Sequence, residues 1–132
     1  RGENRRVAQL AEVQRWRTQV VTADDREIAR WQAIIADIEP PLRAGGYHLL
    51  GQALLRQRRY QPAALALMRV PVLYPAESNL AAESLLAAAE ALEKNNQIDE
   101  ARICLRELLR DHPGSTAAAA AKSKLEQTAT GG

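Results

Sequence analysis

The side chains that could carry out chemistry are few: two histidines (His48 and His112), one cysteine (Cys104), and scattered clusters of carboxylates and arginines. Neither histidine has a second ligand at metal spacing, and no His-Glu-x-x-His or Cys-x-x-Cys occurs, so no metal site is expected. A lone cysteine excludes an intrachain disulfide. Cys104 is expected to be an inert core thiol, with Met68 filling a gap. Asp24, Asp25 and Glu27 crowd what reads as a helix start, where the helix dipole favours them, and capping explains them without acid–base work. Gly45-Gly46 and Gly51 follow no strand pattern and precede no Gly-Lys-Ser/Thr, so they cradle no phosphate. No Ser/His/Asp set is recognisable. The expectation is a protein that is not an enzyme, with no catalytic residue and no cofactor.

The cations are equally restrained. Fifteen of the 18 basic residues are arginine, and the net charge over 132 residues is only +2. Arg56, Arg58 and Arg59 gather at a helix end. Arg102, Arg106 and Arg110 recur at steps of four, but Glu107 and Asp111 break up the neighbouring face, so the stripe reads as a solvated surface. Affinity for nucleic acid scales with the phosphates neutralised, and stacking aromatics are scarce, so no nucleic acid is expected. Residues 1–75 carry 12 basic and 7 acidic groups, and residues 76–132 carry 6 and 9. That asymmetry could drive head-to-tail association or orient a charged partner.

The elements that position these groups read as helices. Alanine occurs 25 times and leucine 17, phenylalanine is absent, and aromatics total 4%; sheets lean on aromatic and β-branched residues instead. No apolar run approaches the ~20 residues a bilayer needs, so no direct membrane insertion is expected in this segment. The start lacks an apolar leader and an initiating methionine, and the chain reads as an excised piece of a longer protein. Spacing and punctuation predict seven helices: 4–21; a second from an N-cap at Thr22 to about Ile38, stopped by Pro40-Pro41; 42–58, with Tyr47 an alternative start after Gly45-Gly46; one opened by Pro62 and kinked or ended at Pro71; one capped by Ser78 or Asn79 and reaching Lys94; 98–111; and one capped by Ser115 or Thr116 and reaching about Gln127. Residues 128–132 are expected to be a disordered tail.

A shift of 38 positions superposes two helix pairs without a gap. Tyr47 meets Leu85, Leu50 meets Ala88, Gly51 meets Ala89, Leu54 meets Leu92, Ala63 meets Ala101, Leu67 meets Leu105, and Pro75 meets Pro113. Gly51 and Ala89 are small where two helices cross closely, facing Ala63 and Ala101. Each pair is apolar on two faces and needs a neighbour on both sides.

This pattern resembles the tetratricopeptide repeat. Counted from Ala44 and Ala82, the family's large residue falls on Tyr47 and Leu85. Its Leu-Gly pair is Leu50-Gly51 and then Ala88-Ala89. Its alanine is Ala63 and Ala101, and its closing proline Pro75 and Pro113. The period of 38 departs from the family's ~34, as if the second repeat's first helix had an added turn. Endings such as Tyr74-Pro75-Ala76-Glu77-Ser78 are similar to the variety found in bacterial cell-envelope assembly proteins; periplasmic and cytoplasmic settings both fit.

The resemblance implies an all-α, right-handed array of antiparallel helix hairpins. Residues 1–41 form a worn repeat or capping hairpin. Two repeats follow, 42–75 and 78–113, and then a capping helix. The resemblance also implies a non-catalytic scaffold binding a peptide or protein in a concave groove lined by His48, Gln52, Leu55, Arg56, Leu86, Glu90, Glu93 and Lys94, with Arg56 and Glu93 as opposed charges. The alternative is a structural module that oligomerises through its array ends. Trp16 and Trp31, on different helices of the first hairpin, either pack between them or serve as exposed anchors near such an end.

Overall fold

The computed structural model describes the backbone of residues 2–131 and the side chains of residues 3–127. Among the described residues there are seven α-helices and no strand: α1 (Gly2–Gln19), α2 (Asp25–Asp37), α3 (Arg43–Arg56), α4 (Tyr60–Leu73), α5 (Ser78–Lys94), α6 (Ile98–Asp111) and α7 (Thr116–Gly131). A short 3-10 turn, Pro40–Leu42, leads into α3. The end expected for α7 near Gln127 is passed. The side chains of the expected tail, 128–132, lie outside the described residues.

The 38-residue shift is a shift of the backbone itself. Among the described residues, the non-glycine residues with positive φ are Arg58 (61°), in the α3–α4 turn, and Asn96 (64°), in the α5–α6 turn. Both turns close alike: Arg59 N–H donates to the Leu54 carbonyl and Gln97 N–H to that of Leu92. Tyr74 ends α4 at φ −132°, ψ 53°, and His112 ends α6 at φ −135°, ψ 52°. The turn Pro40–Leu42 plus α3 spans the same register as α5, so the added turn belongs to both units. In the first unit it is wound as 3-10, with the N–H groups of Leu42 and Arg43 reaching back three residues to the carbonyls of Glu39 and Pro40.

Three boundaries differ from expectation. Asp24, not Thr22, caps α2, its carboxylate accepting from Glu27 N–H at 2.9 Å. The Thr22 hydroxyl turns back to the Gln19 carbonyl at the end of α1. For α3 the earlier of the two expected starts holds: it begins at Arg43, and its glycines lie inside it. Gly46 is there for approach: a Cβ on it would sit 2.9 Å from Ile35 Cγ1. Pro71 falls within the last turn of α4 and does not stop it, since only one hydrogen bond is lost so near the end. Glu77, with no side-chain capping bond, precedes α5.

The first helix of each hairpin touches the first of the next, α1 on α3, α3 on α5 and α5 on α7. These four make one layer, and α2, α4 and α6 make the other. Two apolar clusters run between the layers, one around Trp16, Trp31, Ile35 and Leu54, the other around Leu67, Leu85, Leu105 and Leu108. Complete burial of such a leucine contributes roughly 1.5–3 kcal/mol. The first hairpin is built differently. Trp16 and Trp31 stack at 4.7 Å between ring centres, tilted by 12°, and are 1% and 0% exposed. They are core residues, not the exposed anchors of an array end. Polar clasps flank them: Arg30 donates to Glu12 at 2.7 Å, and Glu39 N–H donates to Gln9 Oε1 at 3.2 Å.

Ala63 and Ala101 are buried as expected. The residue that meets Gly51, however, is Leu67: a Cβ on Gly51 would lie within 2.6 Å of Leu67 Cδ2. Gly51→Ala gains about 1 kcal/mol of helix propensity, but overpacking typically costs ~1–3 kcal/mol, and Leu67 has no exposed side on which to retreat. The variant is expected to lower the urea midpoint. Adding Leu67→Ala should recover part of the overpacking loss, seen as a favourable coupling in the double-mutant cycle.

Candidate functional site

The layer α1–α3–α5–α7 presents a continuous groove. Over α3 lie two hollows of about 430 Å³ each, room for a few side chains rather than for a deep ligand chamber. One, near the N-terminal ends of α3 and α5, is edged by Leu10 and Arg17 of α1 and by Glu77, Leu80 and Glu83. The other, at their C-terminal ends, is edged by Val20, Leu55, Arg56, Arg58, Tyr60, Glu90 and Lys94. A third, over α5, runs from Gln52 through Leu86 and Glu90 to Lys124 of α7. The ends therefore differ in charge. Glu77 and Glu83 stand at one, with Arg17 beside them, while Arg56, Arg58 and Lys94 stand at the other.

Of the eight residues expected to line the groove, Gln52, Leu55, Arg56, Leu86, Glu90 and Lys94 line it. His48 touches it only from beneath, being 7% exposed. Its neighbour Tyr47 faces away, toward Tyr74, with the Arg69 guanidinium 5.1 Å above its ring. Glu93 lines none of these hollows; the carboxylate that shares one with Arg56 is Glu90. Glu90 falls one turn before Lys94 and lines the same hollow. Expectation missed Arg17, Glu83, Arg58 and Lys124. Arg17 and Lys124 belong to the helices next in the layer, and that stacking was the signal that could have found them.

His48 ties α3 to α5. Gln52 donates an amide N–H to His48 Nε2 at 3.0 Å, so Nδ1 carries the proton and faces Ser84 Oγ at 2.8 Å. Glu83 lies 3.9 Å from Nε2. Serine, histidine and a carboxylate thus meet, but Ser84 is 0% exposed. A nucleophile must reach its substrate, and this hydroxyl can reach none. The group is a polar link between neighbouring repeats, worth on the order of 1 kcal/mol per hydrogen bond.

The remaining candidates are structural. Burial pushes the Cys104 thiol up to about 11, Glu107 adding to the effect, so little thiolate forms at neutral pH. Its sulfur is 3.7 Å from that of Met68. His112 ends α6 and meets Ser78 Oγ at 3.2 Å. Among the described residues no group of three metal-binding side chains converges, and no helix is long and apolar enough to cross a membrane.

Burial holds the His48 imidazole below its usual 6.5; Glu83 opposes the shift and Arg17 adds to it. The unfolded chain takes up a proton at a higher pH than the fold does. The contribution to stability is therefore whole above about pH 6.5, and it is lost as the pH falls from there through the lower folded value. Urea midpoints at pH 7 and pH 5 should show this, and His48→Asn should flatten the difference.

Comparison with known proteins bears on the same helices. A family model described as tetratricopeptide repeat matches residues 82–125, from the body of α5 through α6 and into α7. No curated protein and no solved structure matches the chain. The matched segment repeats the backbone plan of the unit 38 residues before it, down to the φ values of its turns. The chain is an all-α helical repeat protein whose residues 82–125 match the tetratricopeptide repeat.

Proposed function

We propose that this protein is a non-catalytic scaffold that holds a peptide segment of a partner protein in the groove of α1, α3, α5 and α7. Tetratricopeptide repeats are interaction modules, and the layered fold supplies an open trough. The observation that carries the reading is the lining of that trough. Half-buried Leu55 and Leu86 alternate with charged residues that form no ion pair within 4 Å among the described residues: Arg56, Glu90 and Lys94. Apolar anchors between charges fit a peptide of mixed charge. Affinity is expected to be modest, because a short groove must offset the cost of ordering a free segment.

A second reading has an observation of its own. Val7 and Leu10 of α1, and Val21 in the turn that follows it, are 67%, 45% and 64% exposed, on the first hairpin at the end of the array. Self-association through that end would build an oligomer. Sedimentation of the native chain and of Val7→Glu separates the two: a monomer at high concentration excludes the oligomer.

The groove is tested with peptides selected by display against the protein. Glu83→Arg and Glu90→Arg, both at accessible groove positions, should change affinity roughly tenfold or more with helicity unchanged. Arg102→Glu and Arg106→Glu on α6 should leave it alone. The opposite pattern in calorimetry would move the working surface to the convex face.

A further inference from the structure

The end of the groove where α3 and α5 terminate carries a feature the rest lacks. Arg58 has φ 61°, a left-handed conformation unfavourable to any residue with a Cβ and least so for asparagine and aspartate. The equivalent turn, with the same hydrogen bonds, uses Asn96 at φ 64°. An arginine there gains the fold nothing: its side chain is exposed, and among the described residues it forms no ion pair or hydrogen bond through its guanidinium. Strain kept against an available cheaper residue points to a task for the side chain. Arg58 lines the hollow that Arg56 and Lys94 also line, and neither of these is in an ion pair among the described residues. Glu90 is the acid in that hollow, so its charges sum to +2. Leu55, Val20 and Tyr60 supply apolar surface beside them.

Resting on the peptide-binding reading above, we propose that Arg56, Arg58 and Lys94 form the anchor of the groove and take an acidic stretch of the partner peptide, one or two carboxylates beside an apolar side chain. The apolar side chain lies against Leu55 and Tyr60. Carboxylates lie against the guanidiniums, which present paired donors to them. The remainder of the peptide runs toward Glu77 and Glu83, where basic residues are accommodated. A polyanion fits less well, because the cations are three, one carboxylate stands among them, and one aromatic ring is at hand.

Three fluorescent probes decide it: a ten-residue peptide of two leucines flanked by glutamates, its lysine counterpart, and a ten-nucleotide oligothymidine. Each is titrated into the 15N-labelled protein, with anisotropy and backbone amide shifts recorded. The expected result is binding of the glutamate peptide with shifts at 55–60 and 90–94. Arg58→Asn should weaken it roughly tenfold while Tm stays level or rises by roughly 2–5 °C. Arg58→Lys should keep most of the affinity, and Arg106→Glu all of it. If the peptides shift groove amides elsewhere, or if the glutamate peptide ignores Arg58→Asn, the anchor is wrong and the groove survives. If oligothymidine binds more tightly than the glutamate peptide, the anchor serves a polyanion and the proposal falls. Shifts confined to α4 and α6, or no binding at millimolar peptide, overturn the anchor and the groove together.

Discussion

The missing side chain of Gly51 is the constraint on which the first repeat depends. Leu67 occupies the place a Cβ would take, and α3 and α4 approach as closely as that substitution-free surface allows. Alanine serves the same end elsewhere: Ala63, Ala82, Ala88, Ala89 and Ala101 are all buried between helices. Thin helix faces make hairpins narrow, and narrow hairpins have apolar faces on both sides that only a neighbouring hairpin can cover. Stacking then follows, and with it a layer of parallel first helices. The groove is what that layer leaves on its open side. Its position is a consequence of where the small residues fall.

Legibility followed the same physics. The helices, their number and the 38-residue register could be read because they are written in small residues, prolines and apolar steps that repeat. The bounds of α6 were read to the residue, and those of α2 were not, because two polar residues, Thr22 and Asp24, competed for one cap. The glycines of α3 were ambiguous for a different reason. Glycine marks both a break and a close approach, and only the nearness of Ile35 to Gly46 tells which. Most of the groove was visible from helical phase. His48 was not: whether a histidine on the inner face stands open or lies beneath its neighbours depends on Ser84 in the next unit, 36 residues away. Arg17 and Lys124 were hidden in the same way, since they join the groove only through stacking.

The charge pattern of the groove also descends from the layer. Cations are favoured in the last turn of a helix, where the unpaired carbonyls concentrate negative potential. Arg56 and Lys94 hold that position in α3 and α5, one repeat apart. Because the two helices run parallel, their C-terminal ends lie together, and two separate capping preferences become one basic patch. Repetition thus converts a local stabilising choice into a collective surface property. Arg58 is the exception that the dipole does not require, since it lies beyond the helix in a conformation that resists it.

The first hairpin shows what happens when the small-residue rule is dropped. In place of a glycine and a leucine it sets two tryptophans face to face, so its backbones scarcely touch while those of α3/α4 and α5/α6 are in close contact. An indole stack is thick, and its own cost is visible: both ring N–H groups are buried with no partner among the described residues, where a hydrogen bond would normally be found. The width does not stay within the hairpin. Trp16 lies within reach of Gly46, and Val13 of Gly45, so α1 is seated against α3 at a spacing its own large residues set. Leu10 and Arg17 consequently stand along the edge of the groove rather than over its floor. A hairpin with alanine contacts would draw α1 toward α2 and leave that side of α3 bare. The bulky core of the flank is therefore what gives the groove its second wall, and the least repeat-like part of the chain completes the surface that the repeats begin.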